Sequence, residues 1–516
     1  MTDAGDQDGF TKDDAVRDVV RGAGVVYIGL VLEMGLAFVA QRFAAVHLSV
    51  GGFGNLISGT ALLDVGAVLA GLGFASGLAR YLPRVTRAQQ RPLAKYALAL
   101  VLPASFVVSI PIVVFADVIA TNLFGEPGLD TSLRVFGAAI PFAALMNLGI
   151  GGTRGLKISR FRVYVKNILH PGARFALIMV AVVVGANQVG FAAGYTVPFV
   201  LAGLLAVTLF WRNLPDESDT RGARQVFPEF LRYSLPFTVS GLSSFVYRSL
   251  DIFLLLYFVG NRAVGAYAVA YAFAQLIGMF STAFSFLSTP VSSQLENQNQ
   301  VSEAVSVQTT IARWLAIITI GALIPMVAFA GDFLRLIYRP AYASAAPTLV
   351  VLVIGFALKN VLLTHGPILE ALGKSKLAAF NTTSAAVVNL GANLLLIPQY
   401  GAYGAAVATT LSFVVLSVLP TLEVRYYTGE TTLSTPVFGP IAVAVPISLA
   451  AVPVFQRVPS TLLWTLGVSG AFALTYAIAV VVVLGFTPTD VMIIRSAEDR
   501  FGRSLGPLDA VLRRFS

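Results

Sequence analysis

Fourteen long apolar stretches succeed one another between residues 22 and 485, and they decide what this chain can fold into. A hydrocarbon layer about 30 Å thick is crossed by a helix of about 20 apolar residues. The stretches cover residues 22–44, 54–78, 94–116, 133–153, 163–185, 190–210, 233–258, 264–289, 310–330, 347–371, 378–398, 401–424, 436–456 and 462–485. Each is continuously apolar, whereas strands of a membrane barrel alternate in period two over about ten residues. The sequence therefore predicts an all-α integral membrane protein of about 14 transmembrane helices. Composition agrees: 56% of the 516 residues are apolar and 12% charged, against about 45–50% and about 25% in soluble domains. The chain has no cysteine and three histidines, His47, His170 and His365. Disulfide frameworks, thiolate metal sites and thiol catalysis are thereby excluded, and no resident metal or other cofactor is expected.

Basic residues set the orientation, because cytoplasmic loops retain Lys and Arg. With the amino terminus inside, 26 of the 35 basic residues fall on the cytoplasmic side and only Arg42, Arg134, Arg262, Arg335, Arg339 and Arg457 outside. Arg174, Arg248 and Lys359 remain, within the predicted helices. Topology thus accounts for the net charge of +9, and no nucleic-acid partner is expected. The hydrophilic start reads as a cytoplasmic segment rather than a cleaved signal. We expect a multi-pass protein of the cytoplasmic membrane with both termini inside.

An internal repeat emerges at an offset of 211 residues. Asp18-Val19-Val20-Arg21 matches Glu229-Phe230-Leu231-Arg232, Gly54 matches Gly265, and Gly190 matches Gly401. Two six-helix lobes are expected, related by a pseudo-twofold along the membrane normal because each holds an even number of helices. The predicted divisions are a cytoplasmic segment (1–21), an N-lobe (22–210), a cytoplasmic linker (211–232), a C-lobe (233–424), two added helices (436–485) and an amphipathic tail (486–516). The tail mixes apolar residues with five arginines, which suits the anionic inner leaflet. Prolines within the spans, among them Pro103, Pro141, Pro236 and Pro420, offer bending points for a rocking transporter.

Charges near mid-span cost at least about 2.5–3.5 kcal/mol each and need a wet cavity or one another. Arg174, Arg248, Lys359, Glu33 and Asp64 are so placed. Lys166, His170 and Arg174 are spaced four apart and form one column on a helix, climbing from the cytoplasmic mouth. Ser240, Ser244 and Arg248 repeat that spacing, with Asp251 one turn further. Lys359, Gly366 and Glu370 share a face in the tenth span. Arg174, Arg248 and Lys359 are the candidate anion-binding residues, since a guanidinium fork suits phosphate. Arg248 can instead pair locally with Asp251, and Lys359 can neutralise an acid on a neighbouring helix. Lys166 and His170 mark the cytoplasmic mouth, or a headgroup-level orientation signal and a hydrogen-bonded core residue. Glu33, Asp64, Asp251 and Glu370 are coupling groups or counter-charges. The phosphate-loop-like GPILEALGKS at 366–375 has the wrong glycine spacing and no preceding strand, and the sequon at Asn381 lies within a span.

Several segments resemble the polysaccharide-biosynthesis, or oligosaccharide flippase, family of the multidrug/oligosaccharidyl-lipid/polysaccharide exporter superfamily. They are FASGLARYLPR ending at Arg84, LRYSLPFTVSGLSSFVYRSLDIFLL (231–255), VGAYAVA from Val264, LEALGKSKL from Leu369 and IPQYGAYGAAVATTLS from Ile397. The resemblance implies two six-helix lobes, often with two added helices, moving isoprenoid-diphosphate-linked sugars from the cytoplasmic to the outer leaflet by alternating access, without covalent chemistry. It also implies membrane lipids and glycan-assembly enzymes as partners. A cation-coupled multidrug exporter of the same superfamily would use acidic residues such as Glu33 and Asp64. A membrane glycosyltransferase would need a large extramembrane region with an acidic cluster, which short loops do not provide.

Overall fold

The computed structural model describes residues 32–158, 160–296, 301–362, 369, 374–429 and 435–485. Among the described residues, helix stands within each of the fourteen expected spans. Within the described residues α1 covers 32–47, followed by α2 (Val50–Gly71), α3 (Arg87–Val114), α4 (Asp130–Gly155), α5 (Arg160–Val183), α6 (Gln188–Arg212), α7 (Thr220–Phe258), α8 (Asn261–Glu296), α9 (Val301–Ala328) and α10 (Ala346–Leu362). Ten helical runs among the described residues are long and apolar enough to cross a membrane, and the bent α7 makes an eleventh. One of the ten is two helices. Gly401 (φ 55, ψ −131) divides Ser375–Thr428 into α11 (375–400) and α12 (402–428). Asn381, near the start of this run, donates a 2.6 Å hydrogen bond to Glu423 near its end, so the chain doubles back. Buried and bonded, Asn381 is no glycan acceptor. The last two helices are α13 (Thr435–Phe455) and α14 (Leu462–Leu484).

Local sequence explains the helix starts. Ser49 caps α2 by accepting from the Gly52 N–H, and Asn187 caps α6 by accepting from Val189 and Gly190; short polar side chains satisfy donors that a first turn leaves over. Asp219 does the same for α7. The Gly222 N–H and then the Gln89 amide hold its carboxyl below the ordinary carboxylate range.

Three features depart from the simple spans. The second expected span, 54–78, is broken at Leu72 and Gly73, both in the left-handed region, and resumes as Phe74–Tyr81. A methyl group on Gly73 would lie 2.1 Å from the Ser234 carbonyl, so α7 passes directly over the break. Much of the expected linker 211–232 is helix, because α7 starts at Thr220 and lays Phe230 against Phe74 at 5.1 Å between ring centres. The 57° bend in α7 falls between Val246 and Ser249, well past Pro236, so proline does not set it.

The repeat is visible as a contact. Cβ atoms built on Gly54 and Gly265 would stand 1.9 Å from the Asn261 carbonyl oxygen and 2.1 Å from the Val50 carbonyl oxygen. Asn261 is Val50 shifted by 211, just as Gly265 is Gly54 shifted. Residue 54 of one lobe meets the equivalent of residue 50 in the other, and the reverse, as a twofold contact requires. α2 and α8 therefore cross on the pseudo-twofold, backbone to backbone.

The added pair α13 and α14 packs on α9 through Tyr476, Phe472 and Val480 against Ala312, Ala316 and Ile320. Arg313, which the charge count uses only as an orientation signal, is buried here and donates from Nη2 to the carbonyl of Gly485, closing the end of α14 at 2.7 Å. A cation suits a helix carboxyl end. Arg313→Ala should lower detergent-state stability by about 1.5–3 kcal/mol, seen as a lower Tm, with protease sensitivity rising first beyond Leu484.

Candidate functional site

In the N-lobe, α5 opens with a wide π-helical segment, Val163–Leu169, before its regular part begins at His170. This places Asn167 against α1, where its side-chain amide donates to Glu33 Oε2 at 2.5 Å. Lys166 and Arg174 lie within electrostatic reach of both Glu33 and His170. Lys166, His170 and Arg174 are therefore near one another on α5, with Glu33 of α1 close by. The Arg174 guanidinium lies over the Tyr195 ring of α6, 5.3 Å from its centre, while its buried Nε makes no hydrogen bond. His170 packs on Phe199, ring centres 4.3 Å apart, and its buried Nε2 likewise has no hydrogen-bond partner. A half-buried cation with donors to spare, an aromatic plate and a flexible lysine below can hold an anion.

The C-lobe carries its own cluster. Asp251 of α7 is 5% exposed and accepts from the Tyr267 hydroxyl of α8 and from the Ile252 N–H. Tyr267 also meets the Thr409 hydroxyl of α12 at 3.1 Å. From Tyr267 an aromatic series runs through Tyr271 (5.8 Å) and Phe356 (5.4 Å) to Phe413 (5.0 Å). At its far end Lys359 Nζ stands 4.5 Å from the centre of the Phe413 ring. Tyr267→Phe removes the hydroxyl that serves a buried carboxylate and should cost about 1–3 kcal/mol, measured as a fall in Tm with the fold retained.

Of the three expected cations, the described residues place the side chains of Arg174 and Lys359, one in each lobe. Arg174 is held inside the N-lobe with Lys166 and His170, and Lys359 inside the C-lobe. The side chain of Arg248 and the whole of Glu370 lie outside the described residues, as does Gly366. Ser240 and Ser244 turn their hydroxyls back to carbonyls of their own helix. Asp64 is exposed on α2, one turn from Val68, against which Gly241 of α7 packs.

A fold of two six-helix lobes with an added pair suits several exporters, and comparison narrows the choice. The polysaccharide biosynthesis protein model matches residues 19–296, more than half of the chain. The chain belongs to the polysaccharide biosynthesis protein family. A second model, MatE, matches residues 236–395. A curated relative, the probable low-salt glycan biosynthesis flippase Agl15 of Haloferax volcanii, is 26% identical over 413 residues, 78% of this chain and 82% of the relative. The probable flippase AglR of the same organism is 27% identical, covering 57% of this chain and 62% of its own. Among solved structures, the lipid II flippase MurJ in an inward closed conformation superposes with a TM-score of 0.70 at 13% identity, covering 88% of this chain and 98% of MurJ. An inward-facing multidrug resistance MATE family transporter gives 0.61 at 17% identity, covering 77% and 94%. These likenesses establish the transporter fold.

Within this family chain, the residues that sequence reasoning missed are the partners. Asn167, Tyr195, Tyr267, Thr409 and Phe413 are ordinary residues in apolar runs. A charge expected in a span implied that partners exist, without saying which helices supply them.

Proposed function

We propose that this protein is a flippase carrying isoprenoid-diphosphate-linked oligosaccharides from the cytoplasmic to the outer leaflet of the cell membrane by alternating access, with both termini cytoplasmic. The observation that carries the reading is the N-lobe column of Lys166, His170 and Arg174, within a chain of the polysaccharide biosynthesis protein family. Lys166 and His170 receive the headgroup at the cytoplasmic mouth. Arg174, Lys359 and Arg248 hold the diphosphate as the lobes exchange access, where attraction is strong because water is scarce. Sugars travel in the wet space between lobes, while the isoprenoid tail stays in lipid. Glu33, Asp64, Asp251 and Glu370 serve as counter-charges or ion-coupling groups. No bond is made or broken. Glycan-assembly enzymes act before and after it, supplying lipid-linked glycan inside and consuming it outside.

The names of the glycan-flippase relatives support this reading. A second one, a cation-coupled multidrug exporter, is favoured by the buried Asp251 and the MatE match. Reconstitution in vesicles separates the two. Fluorescent polyprenyl-diphosphate oligosaccharide should cross between leaflets only in protein-containing vesicles, and a cationic dye should not accumulate. Dye transport driven by an ion gradient, with the lipid-linked sugar unmoved, would overturn the proposal in favour of the second reading.

A further inference from the structure

At the end of the bundle that the basic-residue count places outside, each lobe grips a helix end of the other. Glu126, in the loop between α3 and α4, accepts from the Asn261 N–H at 2.9 Å and from the Asn261 side-chain amide at 2.8 Å. Asn261 is the first residue of α8. Its N–H is among the donors that a helix start leaves unsatisfied, and the positive end of the helix dipole favours a carboxylate there. Glu126 thus caps a helix of the opposite lobe. Gly260 permits this approach: it sits at φ +105, and a methyl group there would lie 2.7 Å from Glu126 Oε1.

The C-lobe returns the grip. Position 126 shifted by 211 is 337, in the loop between α9 and α10. There the Ile337 carbonyl accepts from Arg42 Nε at 2.7 Å. Nearby, Arg339 donates to the carbonyl of Leu48, and the Tyr342 hydroxyl donates to that of Ala45 at 3.2 Å. Leu48 and Ala45 close α1, whose negative dipole end favours a cation. A carboxylate therefore holds a helix amino end on one side of the pseudo-twofold, and a guanidinium holds a helix carboxyl end on the other. Charge and helix polarity match in both.

The geometry points to a paired outer lock, in which Glu126 and Arg339 hold the lobes closed at this end and set how often it opens. Glu126→Gln loses the charge that suits the helix amino end and keeps only one accepting side-chain oxygen. Arg339→Gln loses the charge and the reach. The inference rests on the alternating-access reading but not on the identity of what is carried.

Its test needs no substrate. The chain has no cysteine, so Asn122→Cys in the N-lobe and Tyr400→Cys in the C-lobe, both exposed and outside the lock, take spin labels uniquely. Distances between them in vesicles should show a long component that grows about tenfold in Glu126→Gln and in Arg339→Gln, the scale of losing one charge-assisted interaction. The double variant should exceed either. Asn261→Ala, which deletes only the side-chain bond, should fold in any case and give a smaller increase in the same direction. Distance distributions unchanged in these variants would overturn the lock. Failure of the unsubstituted protein to move lipid-linked sugar, with the distances shifting as stated, would instead count against the flippase reading alone.

Discussion

Gly54→Ala should deplete the folded protein from the membrane, and Gly265→Ala should do the same. The added methyl would meet a backbone carbonyl at 1.9 Å in the first case and at 2.1 Å in the second, and a carbonyl within a helix cannot swing aside as a side chain can. Relief requires α2 and α8 to separate along their crossing. Overpacking in a close-packed interior typically costs about 1–3 kcal/mol and more when backbone must move. Here the displaced carbonyls belong to Asn261 and Val50, next to the lock contacts, so the loss should reach at least about 3 kcal/mol, a large share of a typical stability of about 5–15 kcal/mol. Gly391→Ala is the control, because nothing lies within 4 Å of its added carbon. Membrane-extracted yield and Tm in detergent give the comparison. Equal Tm for Gly54→Ala and Gly391→Ala would mean that the two helices do not cross this closely.

Gly54 and Gly265 also separate what the sequence carries from what only the assembled helices carry. Their common spacing of 211 residues predicted two lobes, and the helix count predicted the direction of the axis. That the two glycines lie against each other was not written in either local sequence. It follows only when two apolar helices with no large side chain at the same position meet on the axis. The helices themselves were legible because apolar length is dictated by bilayer thickness. Their ends were less so: α7 extends to Thr220 because Val226, Phe227 and Phe230 find apolar partners in a core shared with the second, third and fourth spans. The break at Leu72–Gly73 is likewise set by Ser234, more than 150 residues away. The charged side of the site was legible, since membranes make every mid-span charge conspicuous. Its aromatic and amide partners were not, because Tyr195, Asn167 and Tyr267 cost little to insert and leave no signal in composition.

That asymmetry shapes the functional test. Arg174→Ala should abolish flipping of diphosphate-linked glycan while the protein remains in the membrane at its usual level. The guanidinium is held over Tyr195 with Nε unsatisfied, so its removal leaves no severed hydrogen bond at that atom. The main electrostatic change is at Glu33, which keeps the Asn167 bond and Lys166 as a neighbouring cation. Folding should therefore tolerate the change. Transport should not, because losing one partner of a desolvated charge pair costs about 2–5 kcal/mol in recognition, or about 30-fold to several thousandfold in rate. Arg174→Lys keeps the charge but loses the planar fork and the stacking, and should recover only a small part of the activity. Lys359 differs: a point charge over Phe413 needs no fork, so Lys359→Arg should retain substantial flipping where Lys359→Ala does not. Vesicle assays of the four variants at matched protein density measure both contrasts. If Arg174→Ala and Arg174→Lys both flip at the unsubstituted rate, the N-lobe column does not bind the diphosphate, and its charges serve only to satisfy Glu33.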